Sequence, residues 1–152
     1  MRDGKPGNVF AAPVHRLDRP ATGLVIFAKT SKAASRMHEI FRDGRVTKIY
    51  RVVVEGKPRA SEERLENWMV KDAARNTSRV AAEGAKNAKR AALSYKLVRV
   101  LENYSVLEVT LETGRSHQIR VQLAHAERRL PAICVTARNA RWGRGLRCMR
   151  PS

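Results

Sequence analysis

Among the residues able to do chemistry, one aspartate stands out for its surroundings. Asp18 lies between Arg16 and Arg19, with His15 three residues before it. Once ionised, a carboxylate can attack an electrophilic centre or assist the breaking of a bond. Neighbouring cations favour that ionised form. Pro20 and Gly23 then signal a tight turn. The apolar run Leu24 to Ala28 has the length and β-branched content of a buried strand. A carboxylate on a turn that enters a core strand would be rigidly presented, as a catalytic group must be. The same residues also fit an Arg–Asp ion pair or an Asx turn beside a strand.

Two further stretches add candidate groups. Val46 to Glu55 alternates in part and ends in Val52-Val53-Val54, which predicts a strand closed by Gly56 and Pro58. Tyr50 sits in its middle, where half-buried packing is the ordinary role of a tyrosine. One helix and one strand return separate Asp18 from Tyr50, which is enough to bring them together on adjacent strands. Thr113-Gly114 breaks a later strand, and Ser116 is placed to cap a helix running to about Ala126. His117, Arg120, Val121 and Ala124 fall on one face of that helix. By residue type alone, Arg120 reads as a solvated cation, and His117 and His125 as structural hydrogen-bonders.

The three stretches together are similar to the motifs of the RluA-type pseudouridine synthases. His15-Arg16-Leu17-Asp18 followed by Thr22-Gly23 resembles the first motif, with Ala21-Thr22 where that family usually has Thr-Ser. Lys48-Ile49-Tyr50 resembles the second, and Gly114-Arg115-Ser116-His117-Gln118-Ile119-Arg120 the third. The order is kept, over roughly residues 6 to 126. The resemblance implies an RNA-modifying isomerase that converts uridine to pseudouridine in ribosomal or transfer RNA without a cofactor. Asp18 would be the catalytic carboxylate, and Tyr50 would stack on uracil and handle protons. Arg120 would be the partner of the aspartate. Arg16, Arg19, Arg115 and His117 are the candidates for contact with RNA. The implied fold is α+β: a mixed, mainly antiparallel sheet with flanking helices, here incomplete relative to the family. A non-catalytic RNA-binding remnant and a basic structural protein of a ribonucleoprotein particle are the alternatives.

Composition agrees with a polyanionic partner. The 152 residues carry a formal net charge of +17, with 43% apolar residues, enough for one domain with a modest core. The longest apolar run falls far short of the roughly 20 residues that a spanning helix needs. The four histidines and two cysteines, Cys134 and Cys148, have no metal-ligand spacing. The expectation is therefore a cytoplasmic monomer with free thiols, bound to RNA, with no metal and no membrane association.

The remaining elements follow from pattern. Thr30 or Ser31 should cap a helix carrying Ala33, Ala34, Met37, Ile40 and Phe41 on one face, ended by Gly44. A strand is expected over 64–70, then a cationic loop or ragged hairpin over 71–89. Ala92 to Leu101 and Tyr104 to Glu112 read as an antiparallel hairpin. Residues 128–152 hold seven arginines and no acidic residue. They read as a basic tail with no strand, outside a catalytic domain of residues 1–127. The family's Gly-Asp…Tyr-Gly turn and late apolar strand have no counterpart there, which suggests an altered end. The family also places more chain before its first motif, so Met1 reads as an internal start.

Overall fold

The computed structural model describes residues 10–18 and 21–127, and the backbone of residues 132–142. Two sheets and two helices make up these residues. A small antiparallel pair joins β1 (Ala12–Pro13) to β3 (Phe27–Ala28). A seven-stranded sheet has the order β2-β9-β4-β8-β7-β5-β6. Its members are β2 (Ala21–Gly23), β4 (Val46–Glu55), β5 (Glu62–Asp72), β6 (Thr77–Ala81), β7 (Lys89–Val100), β8 (Tyr104–Leu111) and β9 (Ala132–Trp142). Only the β2–β9 pair is parallel. The architecture is the α+β, mainly antiparallel one expected.

Helix α1 (Ser31–Arg42) forms where the capping signals lie. Thr30 is extended, and its Oγ1 accepts a hydrogen bond from the Ala33 amide at 3.1 Å. Gly44 takes φ +68° just past the end, a left-handed turn that glycine adopts without strain. Ala34 and Ile40 are buried, and Ala33, Met37 and Phe41 pack with Ala34 against Val14 and Ala28. This small cluster anchors the chain immediately before Asp18.

The main core lies between the sheet and helix α2 (Gln118–Glu127). Val52 and Val54 of β4, Leu107 and Val109 of β8, and Leu93 and Tyr95 of β7 are at most 1% exposed. Ile119 and Leu123 of α2 complete the cluster. Full burial of each such aliphatic side chain stabilises the fold by about 1.5–3 kcal/mol. The stretch 71–89 forms a hairpin, with β6 folded back on β5 and Asn76 at φ +49° in the turn.

Two expectations need correction. Leu24 to Ala28 is not a buried strand: Leu24, Val25 and Phe27 are exposed, and only the two residues of β3 pair. This run lies outside the large sheet, so only the side facing α1 is covered. The buried face of α2 is Gln118, Ile119, Gln122 and Leu123, while Arg120 and Ala124 are exposed. Finally, residues 132–142 form a strand rather than a tail. The backbone of β9 pairs with β4 from Val46↔Trp142 to Val54↔Ala132, and with β2 on its other side. Ladder hydrogen bonds need only an extended backbone, so this pairing does not depend on side-chain alternation. Residues 128–131 and 143–152, with Cys148, lie outside the described residues.

Candidate active site

Asp18 follows a well-fastened stretch of chain. The Val14 amide donates to the Ile26 carbonyl at 2.9 Å. The Ile26 amide donates in turn to His15 Nε2 at 3.3 Å, and the His15 ring stacks on Phe41 with centroids 5.1 Å apart. An acceptor Nε2 requires a neutral imidazole protonated at Nδ1. Burial pushes the His15 pKa below its ordinary value, and the charge of Lys48 adds to that. The backbone carbonyl of Asp18 accepts from the Ala21 amide at 2.8 Å. Arg19, a candidate RNA contact, lies outside the described residues. Arg16 is exposed beside the aspartate.

The site brings Asp18, His117 and Tyr50 together. His117 Nδ1 is 3.7 Å from Asp18 Oδ2, with both side chains partly accessible to solvent. Tyr50 is half-buried on β4, and its hydroxyl is pushed above the ordinary pKa, first by burial and then by the charge of Asp18. It is therefore protonated at neutral pH and available as a proton donor. Arg120 is exposed and makes no ion pair or hydrogen bond with any described residue. Among the described residues, the side chain beside the Asp18 carboxylate is that of His117, not the arginine that the motif resemblance assigned.

His117 adopts φ +55°, a left-handed conformation that is uncommon outside glycine. Strain of this kind persists where surrounding bonds over-determine the backbone, and here the bonds are explicit. The side chain of Gln118 is buried, and its Oε1 accepts from Thr113 Oγ1 and from the Arg115 amide, both at 2.8 Å. Its Nε2 donates to the Ala92 carbonyl at 3.0 Å and to Gln122 Oε1 at 2.9 Å. Gln122 is fully buried and donates to Asn67 Oδ1 and to the carbonyls of Ala91 and Leu65. The two amides tie the 113–117 loop to β5 and β7. Ser116 does not cap the helix: its Oγ is buried and bonds to no described residue, and the first helical bond runs from Val121 N to His117 O.

A second set of contacts grips the same loop from outside. Arg115 Nε donates to the Arg90 carbonyl at 2.9 Å. Arg64 holds Glu112 with two parallel hydrogen bonds of 2.7 and 2.8 Å, and Glu66 bridges Arg64 and Arg90. Hydrogen bonds from Arg90, then from Arg64, hold the Glu66 carboxyl down at about 2. Exposed pairs of this kind contribute little individually, but bidentate geometry fixes orientation.

Sequence reasoning passed over Gln118, Gln122 and Lys48 as functional residues. The signal for the glutamines was their position on the face that carries Ile119 and Leu123. Among the described residues, no cluster of three potential ligands could hold a metal ion, and no helix is long and apolar enough to cross a membrane.

The sheet order and the place of α2 define the class of fold. It is shared with the human RNA pseudouridylate synthase domain-containing protein 1, at TM-score 0.72 and 18% identity over 84% of this chain and 62% of the human one. The human domain-containing protein 4 gives 0.69 and 24% over 80% and 49%. The RNA pseudouridylate synthase family model matches residues 3–125, and the chain belongs to that family, in its RluA-type branch. Relatives include ribosomal large subunit pseudouridine synthase D of Zymomonas mobilis, 32% identical over 73% of this chain and 34% of that enzyme. Another is tRNA pseudouridine synthase C of Vibrio parahaemolyticus, 31% identical over 82% of this chain and 54% of its own length. The chain thus spans between a third and about half of the relatives it resembles.

Proposed function

We propose that this chain carries the catalytic centre of an RNA pseudouridine synthase, with Asp18 as the reacting carboxylate. The observation that carries the reading is the convergence of Asp18, Tyr50 and His117, one from each motif stretch. In the proposed reaction, the N1–C1′ bond of a uridine breaks with the help of Asp18. The freed uracil turns, C5 bonds to C1′, and the C5 hydrogen leaves as a proton. Tyr50 offers a face for the uracil and a protonated hydroxyl for proton transfer. The uridine must leave its stack to reach Asp18. Arg16 and Arg19 flank the aspartate in sequence, His117 lies beside it, and Arg115 belongs to the same 113–117 loop as His117; these four are the proposed contacts to RNA. Ribosomal or transfer RNA is the proposed substrate, since the relatives are named for both. No metal or cofactor is needed, and a cytoplasmic monomer suffices.

Arg120 favours a second reading. An arginine that does not pair with Asp18 suits a chain that binds RNA without turning it over. RNA labelled with tritium at uridine C5 separates the two, because isomerisation releases the label to water and binding does not.

A further inference from the structure

Lys48 has a costly position that the proposed chemistry does not use. It pairs with Leu111 across β4 and β8, as Tyr50 does with Val109 and Val52 with Leu107. Alternation therefore puts Lys48 on the same face as Tyr50 and the core. The side chain is half-buried. Its ammonium sits directly over Gly114: a Cβ built on that glycine would lie 3.1 Å from Lys48 Nζ. Arg115 acts on Lys48, and Lys48 acts on His15. It forms no ion pair or hydrogen bond with any described residue. A half-buried ammonium beside a guanidinium, with no anion paired to it among the described residues, is unfavourable by itself. Burial, and then Arg115, accordingly push its pKa below the ordinary lysine value. The arrangement becomes favourable once an anion is added.

Resting on the isomerase reading above, we propose that Lys48 and Arg115 form a phosphodiester site that holds the RNA backbone next to the flipped uridine. Two residues along a strand span about 6.6 Å. A phosphate held at Lys48 thus leaves the attached base within reach of Tyr50, on which the charge of Asp18 acts. Gly114, without a Cβ, leaves the ammonium uncrowded at this position. The site recognises charge and not base, so it sets the register of the backbone at the catalytic carboxylate.

The test uses the full chain and a fluorescein-labelled RNA stem-loop with a single loop uridine. The RNA is made with ordinary linkages, or with one neutral methylphosphonate on the 5′ or the 3′ side of that uridine. For the wild-type chain, one of the two neutral linkages should weaken binding and make the log–log salt dependence shallower by about 0.7. In Lys48→Met, which keeps an unbranched stem, that linkage should have no further effect; in Lys48→Arg the response should return. Circular dichroism melting of each variant reports folding. Equal weakening in wild type and Lys48→Met, or no response to either linkage, overturns the site. Inorganic phosphate at constant ionic strength is the second arm. If it competes through Lys48 while neither linkage matters, the site takes free phosphate and the RNA assignment falls. Tritium release on the same RNA keeps the two readings apart. Coupling without release removes the isomerase reading alone, and release without coupling removes the phosphate site alone.

Discussion

Replacing Gln118 by leucine tests what holds the 113–117 loop. The substitution keeps an apolar stem of similar size at the start of α2 but removes the four side-chain hydrogen bonds of Gln118. Their loss is uneven. The Thr113 hydroxyl can turn to the Ala92 carbonyl, 3.4 Å away, and that carbonyl keeps the amides of Glu112 and Thr113. The Arg115 amide and Gln122 Oε1 have no such substitute. A buried polar group left unpaired costs about 1–3 kcal/mol. Two of them, one partly accessible, give an expected destabilisation of about 2–4 kcal/mol. Against the 5–15 kcal/mol or so typical of a domain, this is a large fraction. Urea unfolding should show the midpoint falling by about 1–2 M at an unchanged slope. RNA turnover should fall as well, since His117 would lose the bonds that hold its left-handed backbone. A midpoint within about 0.3 M of wild type would show that the amide pair does not carry the loop.

Other substitutions probe the core and the anchor of the aspartate. Leu123→Ala empties a fully buried position and should cost about 2–5 kcal/mol in the same urea assay; a loss under 1 kcal/mol or so would place α2 off the sheet. For His15, the folded pKa lies below the ordinary 6.5. The unfolded chain therefore takes up this proton first, so the contribution is complete above 6.5 and declines as pH falls toward the lowered value. His15→Gln should remove that part of the acid sensitivity, and an unchanged pH–stability curve would contradict the anchoring role. Amide hydrogen exchange should show residues 132–142 protected to an extent comparable with β4, their ladder partner; exchange at the rate of an open chain would contradict the pairing.

Where side-chain chemistry dictates local structure, the sequence was readable. The Thr30 cap, the apolar stripe of α1 and the left-handed Gly44 fall as expected. So does the β7–β8 hairpin, with Leu93, Tyr95 and Leu97 facing Leu111, Val109 and Leu107. The motif stretches converge on Asp18, but with His117 rather than Arg120 beside it. The failures have physical causes. Leu24 to Ala28 reads as buried because it is apolar, yet exposure depends on what packs over a segment, and only α1 does. Gln118 and Gln122 went unremarked because hydrophobic periodicity counts an amide as polar; four well-placed bonds make Gln118 a core residue. β9 is held by backbone ladders on both sides, a contribution that residue types do not advertise. Lys48 is hidden in the same way, since a lysine in an alternating strand gives no sign that it faces inward over a glycine.

Release of tritium from C5-labelled uridine in ribosomal and transfer RNA, measured for the wild-type chain and Asp18→Asn side by side, bears most directly on Asp18 as the reacting group. The amide keeps the shape of the carboxylate but cannot serve as an anionic nucleophile. The expected result is release by the wild type, none above background by Asp18→Asn, and RNA affinity within a few-fold for the two. Release by Asp18→Asn at a rate near wild type would remove Asp18 from the chemistry. Binding by both chains with release by neither would establish the RNA-binding reading instead.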